Sequence, residues 1–160
     1  MTAALPVPSL EPAFDVHVEL GALEDHGPTR AGHRRVAPIA GGTLRDCTGT
    51  GAFDGVLLPG GADWQIIRPD GALEIDCRYS ARLDDGSLLY LQVRGVRSGS
   101  PEVLESLLAG AEVDPSDYYF RTSILIEASA PQHAALEHAI FVAACARDAD
   151  AVRYRAYRVS

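Results

Sequence analysis

The run Leu73-Glu74-Ile75-Asp76-Cys77-Arg78-Tyr79-Ser80 alternates apolar and polar residues without a break. After the turn residues Asp84-Asp85-Gly86, Leu89, Leu91 and Val93 resume the same period. A period of two is the pattern of a strand with one buried face, and Asp-Gly supplies the positive φ that a tight reversal needs. This hairpin constrains the fold more than any other segment, because a chain that contains it must find a partner layer or close on itself to bury one row.

The same period recurs along the chain. Phe14, Val16, Val18 and Leu20 alternate with Asp15, His17 and Glu19. Val36 to Ile39 reads as a short strand ending at Gly41-Gly42, and Gly51 to Leu58 leads into a segment around Trp64. Phe120, Thr122, Ile124 and Ile126 form one side of a strand over 119–128. Two more strands are expected around Ala139 to Ala146 and Val152 to Val159, although alanine-rich 134–144 also suits a helix. Gly21 to Gly32 reads as a loop, and residues 1–12, with Pro6, Pro8 and Pro12, as an extended tail or first edge.

Between Pro101 and Gly110 the period changes. Val103, Leu104, Leu107 and Leu108 fall at helical spacing, with proline at the start and glycine at the end. About eight strands with one short helix predict an all-β fold, an antiparallel β-barrel, as a single domain over 13–160. Closure removes the sheet edges that promote aggregation, and eight strands leave a bore wide enough for packed side chains or one small ligand.

Composition narrows the function classes. The 160 residues are 47% hydrophobic and carry a net charge of −8, with the basic residues scattered. That balance repels a phosphate backbone, so nucleic acid is not an expected partner. No apolar run approaches the roughly 18 residues of a membrane span, and the N-terminus has no signal-peptide pattern, so a cytoplasmic protein is expected. Cys47, Cys77 and Cys145 lack metal or disulfide spacing, and His133 and His138, five apart, suit neither a helical nor a strand metal pair. No metal or cofactor is expected. The chain has no lysine, which excludes Schiff-base chemistry, and every side chain of fixed positive charge is an arginine.

Leu58-Pro59-Gly60-Gly61-Ala62-Asp63-Trp64-Gln65 places an acid beside the only Trp, next to two glycines that permit close backbone approach. Arg78, Tyr90, Tyr119, Arg121 and Glu127 lie in polar rows of other strands. If those rows enter the bore they supply carboxylates, guanidiniums and phenols; if they face water they are an ordinary solvated surface. Trp64 can equally fill a core, Asp63 cap a turn, and the arginines pair with neighbouring carboxylates.

Gly41-Gly42-Thr43, the Leu58–Gln65 segment, Arg68-Pro69-Asp70-Gly71, Arg78-Tyr79, Asp85-Gly86, Gly95 and Tyr119-Phe120-Arg121-Thr122 occur in an order that resembles the domain-of-unknown-function 3237 family, over about residues 14–159. The resemblance implies a compact antiparallel barrel, found in small proteins often near metabolic enzymes, with no general activity assigned. It also implies that Asp63, Trp64, Arg78, Tyr79 and Arg121 belong to a pocket. Where the family usually has an aromatic followed by Trp-Leu-Asn, this chain has His133-Ala134-Ala135-Leu136-Glu137, which would give a smaller, more acidic wall if that region borders the pocket.

The function expected on these grounds is a cofactor-independent enzyme acting on a small organic molecule by acid–base chemistry: an isomerase, cyclase or lyase. Asp63 or Glu127 would move the proton, Arg78 and Arg121 hold an oxyanion, and Trp64, Tyr79, Tyr90 and Tyr119 shape the cavity, with the helix around Val103 to Leu108 as a lid. The alternative is a non-catalytic carrier of a hydrophobic metabolite. A homodimer is compatible with either. A filled, purely structural barrel predicts no cavity, with Arg78 and Arg121 in solvent.

Overall fold

A computed structural model describes residues 2–160. Among them are ten strands: β1 (Leu10–Leu20), β2 (Glu24–Thr29), β3 (Gly32–Asp46), β4 (Gly55–Leu57), β5 (Ala62–Ile67), β6 (Leu73–Leu83), β7 (Leu88–Ser98), β8 (Tyr119–Ala128), β9 (Phe141–Arg147) and β10 (Ala151–Val159). The helix α1 spans Pro101–Leu108. Pairing runs β1-β10-β9-β8-β7-β6 and then, through β4 and β5 end to end along one position, to β3, which pairs back with β1. The result is a closed antiparallel barrel of eight ring positions. β4 and β5 share one position, and β2 is an added hairpin partner of β3.

The expected hairpin is present. β6 and β7 pair from Leu73↔Arg97 to Arg82↔Leu88, and Gly86 turns with φ +85°. Helix α1 also forms where the period changes, with the Ser100 hydroxyl accepting from the Val103 N–H and Pro101 at its first turn.

Three segments differ from the sequence reading. The 21–32 stretch contains β2 rather than only loop, and β3 is fifteen residues long instead of a short strand. Alternation fails inside β3 because Ala40 is an extra residue between Gly41, paired with Glu19, and Ile39, paired with Leu20. This bulge lets one strand turn a corner of the barrel: its first half pairs β5 and its second half β4 and β1. Gly42 must be glycine here, with φ +143° and a hypothetical Cβ only 2.0 Å from the His17 carbonyl oxygen. Leu10 to Pro12, read as tail, already pair with Val159, Arg158 and Tyr157. Residues 131–138 form a 3₁₀ segment, and the strand after it starts at Phe141.

The bore is filled from one end. Phe14 stacks at 5.7 Å from Phe141 and 6.1 Å from Phe53, and Leu136 from the 3₁₀ segment joins this core. At the other end the starts of β3, β6, β8 and β10 meet the ends of β1, β5, β7 and β9. Helix α1 follows β7 at this second end, which is the mouth.

Candidate functional site at the mouth of the barrel

Directly opposed residues of an antiparallel pair share a face, so register decides what enters the bore. Asp63 opposes Cys77, which opposes Val93, and Tyr79 opposes Leu91 and through it Ile126. These residues are buried, and the alternate rows face outward. The polar rows of β6, β7 and β8 are therefore on the outer surface.

That placement divides the expected site. Asp63 is inside at 7% exposure, and Tyr79 is buried. Trp64, one residue along β5, points the other way and is 40% exposed. Arg78 is in solvent with Nε 3.5 Å from the Asp76 carboxylate, a structural pairing on the outer face, and Arg94 reaches the same carboxylate. Arg121, exposed, lies over the outward Tyr119 ring at 5.5 Å. Tyr90 and Glu127 oppose each other, also outside. Trp64, Arg78, Tyr90, Tyr119, Arg121 and Glu127 consequently do not meet Asp63, and the oxyanion role of Arg78 and Arg121 fails. For these rows, solvation of the charged face outweighs any gain from entering the bore. The 133–137 departure lies at the filled end, where Glu137 accepts from the Ala128 N–H at 2.9 Å, so it borders no part of this pocket.

The inward rows carry different polar residues where they reach the mouth. On β7 the inward positions Leu89, Leu91, Val93 and Gly95 continue to Arg97. On β9 Phe141, Ala143 and Cys145 continue to Arg147, on β3 Ile39 and Ala37 lead back to Arg35, and on β5 Asp63 leads to Gln65. The signal was in the sequence: an apolar row of period two that ends on an arginine.

Two adjoining spaces result. An inner chamber of about 50 Å³ has an apolar lining that includes Ile75, Val93 and Phe120, with Asp63, Gln65, Thr122, the Tyr79–Tyr154 hydroxyl pair and, at its outer side, Arg97 and Arg147 as its polar features. It is large enough for a few water molecules. Outside it lies a vestibule of about 300 Å³ beneath the C-terminal end of α1, walled by Leu107 and Leu108 and by Arg35, Arg97 and Arg147. Leu20, Gln65, Arg97 and Arg147 line both spaces.

Inside the chamber, Asp63 accepts from Gln65 Nε2 at 2.8 Å and from the Asp76 backbone N–H at 3.1 Å. These bonds favour the carboxylate. Burial outweighs them and raises the pKa to about 6. Burial also pushes Cys145 up to about 11, and Cys77 and Tyr79 well above their usual values, so the thiols and that phenol stay protonated at neutral pH. Asp63 is the one group in the chamber poised to exchange a proton near neutrality. Removal from water, reinforced by Arg147 and Arg35, lowers Arg97 to about 10, and it remains charged at neutral pH.

Comparison with known proteins places this barrel. The profile of the family described as "Protein of unknown function (DUF3237)" matches residues 8–159. The chain belongs to this family. A UPF0311 protein from Rhodopseudomonas palustris is 37% identical over 147 residues, covering 91% of this chain and 94% of that protein. The crystal structure of a conserved protein of unknown function from the same species superimposes with TM-score 0.89 at 34% identity, over 98% of this chain and 100% of the other. A β-barrel-like protein from Acinetobacter baumannii gives TM-score 0.84 at 39% identity, over 99% and 100%. The fold is also shared with an enzyme from Penicillium herquei, TM-score 0.71 at 15% identity with both chains covered in full (100%). At that identity the likeness is one of fold. Among the described residues no helix is long and apolar enough to cross a membrane.

Proposed function

We propose that this protein is a cofactor-independent enzyme that moves a proton on a small organic molecule held at the barrel mouth, as in an isomerisation, cyclisation or elimination. The observation that carries this reading is Asp63. It is a carboxyl buried in the bore, with a pKa raised to about 6, lining an apolar chamber that shares a wall with a vestibule. A group whose pKa lies near the working pH is suited to both taking and returning a proton. Tyr79 and Tyr154 are hydrogen-bonded to each other and kept protonated by burial, so one of the two hydroxyls donates to the other and the second keeps its O–H to stabilise charge developing on a substrate oxygen. Gln65 and the Asp76 N–H fix the orientation of the Asp63 carboxyl.

Where such a reaction begins by removing a proton from carbon, that step is read as deuterium uptake. Wild-type protein in heavy water, incubated with a panel of enolisable ketones and acids, is expected to exchange substrate C–H for C–D, observed by NMR. Asp63→Asn is expected to lose that exchange by a factor of at least about 100, the lower range for a general acid–base group. Exchange at the wild-type rate in Asp63→Asn would remove Asp63 from the chemistry.

A carrier without chemistry is the second reading, favoured by one observation: the chamber beside Asp63 is small, about 50 Å³, so a ligand confined to the vestibule stops short of the carboxyl. A ligand recovered unchanged from protein that catalyses no exchange would support it.

A further inference from the structure

We propose that Arg35, Arg97 and Arg147 form a carboxylate-recognition site, so that the ligand of this barrel is a small organic acid whose anionic end stays in the vestibule while its uncharged body points down the bore. This rests on the reading of the mouth as a ligand site, and not on Asp63 moving a proton.

Three guanidiniums line one space of about 300 Å³. Among the described residues none of the three has a carboxylate oxygen within 4.0 Å, whereas five other arginines, Arg78 among them, and three histidines are paired with a carboxylate in that range. Nearby acids act from farther away: Asp25 and Asp63 on Arg35, Asp63 on Arg97, and Asp148 and Asp150 on Arg147. The arginines meanwhile repel one another.

Arg97 is the most telling. It is 4% exposed, its guanidinium lies 5.8 Å from the Phe120 ring centre, and its Nε has no acceptor. Arg35 Nε and Gln65 Oε1 are also buried without partners. Arg147 spends part of its fork on the backbone carbonyls of Asp148 and Ala151 and keeps the rest for the vestibule. A buried cation without a counter-ion is costly, and buried donors are almost always satisfied. An anion seated among the arginine donors supplies what Arg35 and Arg97 lack, whereas Gln65 Oε1, an acceptor, needs a donor instead. That a chain of net charge −8 concentrates three unpaired cations at its mouth also favours attraction of an anion locally.

The choice of a carboxylate follows from geometry and lining. Guanidinium forks match a planar carboxylate in a bidentate pair, and the vestibule walls between them are leucines, Leu20, Leu23, Leu107 and Leu108, suited to a hydrocarbon body. The volume is at the small end for ligand sites.

The test uses benzoate as probe, benzamide as its uncharged counterpart and inorganic phosphate as the competing anion, with binding read by calorimetry and thermal stabilisation. Benzoate is expected to bind saturably, benzamide and phosphate far more weakly. Arg35→Gln and Arg147→Gln, both only part-buried, should fold as judged by circular dichroism and weaken benzoate about tenfold or more, the scale of a charge-assisted hydrogen bond. Arg78→Gln, on the outer face, should bind like wild type. Asp63→Asn should bind benzoate at least as tightly, because it removes a negative charge, so loss of proton exchange in that variant is separable from loss of the anion site. No saturable binding of benzoate, benzamide matching benzoate, phosphate binding as tightly as benzoate, or both arginine variants binding like wild type would each overturn the proposal.

Discussion

Asp63 illustrates how burial sets the chemistry of a single residue. Its carboxyl rises from 3.8 to about 6 because desolvation outweighs two hydrogen bonds. Between those values the folded protein holds a proton that the unfolded chain releases. The protonated form's contribution is therefore fully present below about pH 4 and is lost as pH rises through 6, a change of about 3 kcal/mol. Asp63→Asn is accordingly expected to be more stable than wild type at about pH 8, by roughly 2 to 3 kcal/mol, and close to it near pH 4, as measured by urea denaturation at both values. Equal stabilities at pH 8 would contradict the raised pKa. At this scale the sequence revealed the acid and its neighbours, and the Asp63–Tyr79 pair does face inward. It could not tell Asp63 from Trp64 in direction, because adjacent strand residues point to opposite faces and only the pairing of Asp63 with Cys77 selects one.

Strand elements here are held together at points where a side chain has no room. A Cβ on Gly61 would lie 2.3 Å from the Arg78 carbonyl oxygen and 2.7 Å from Tyr79 Cβ, and one on Gly95 2.1 Å from the Arg121 oxygen and 2.7 Å from Thr122 Cα. The obstacles are largely backbone, so the strands themselves must separate. Gly61→Ala and Gly95→Ala are each expected to lose about 3 kcal/mol or more, the upper range for overpacking. Gly86→Ala, strained in φ but facing open space, should lose only about 1 to 2 kcal/mol. Chemical denaturation of the three variants tests that order. Hairpin β6–β7, helix α1 and strand β8 were legible because their periods are unbroken, whereas the alanine-rich sequence of β9 left helix and strand both open. Strand β3 was not, since its Ala40 bulge interrupts the alternation, and β2 carries little apolar patterning to read.

At the scale of the whole molecule, closure is carried by β1, which joins β10 on one side and β3 on the other. The chain ends also meet: the Ser9 N–H donates to the Ser160 carbonyl at 2.9 Å, and the Ser160 N–H to that of Ser9 at 3.0 Å. A circular permutant that joins residues 9 and 160 by a short Gly-Ser linker, with new ends in the exposed 110–112 loop, is expected to keep the barrel and the wild-type circular dichroism spectrum. Removing 151–160 instead should expose the edges of β1 and β9 and give aggregates on size-exclusion chromatography. By itself the sequence determined the fold class, the hairpin, the helix, the family and a candidate acid, because strand period, turn chemistry and motif order are local properties of the chain. Only the tertiary structure decided which rows enter the bore, sending Arg78, Arg121 and Glu127 to solvent and bringing Arg35, Arg97 and Arg147 to one mouth. The choice of face and the meeting of residues fifty and more positions apart depend on register and closure, which no single strand encodes.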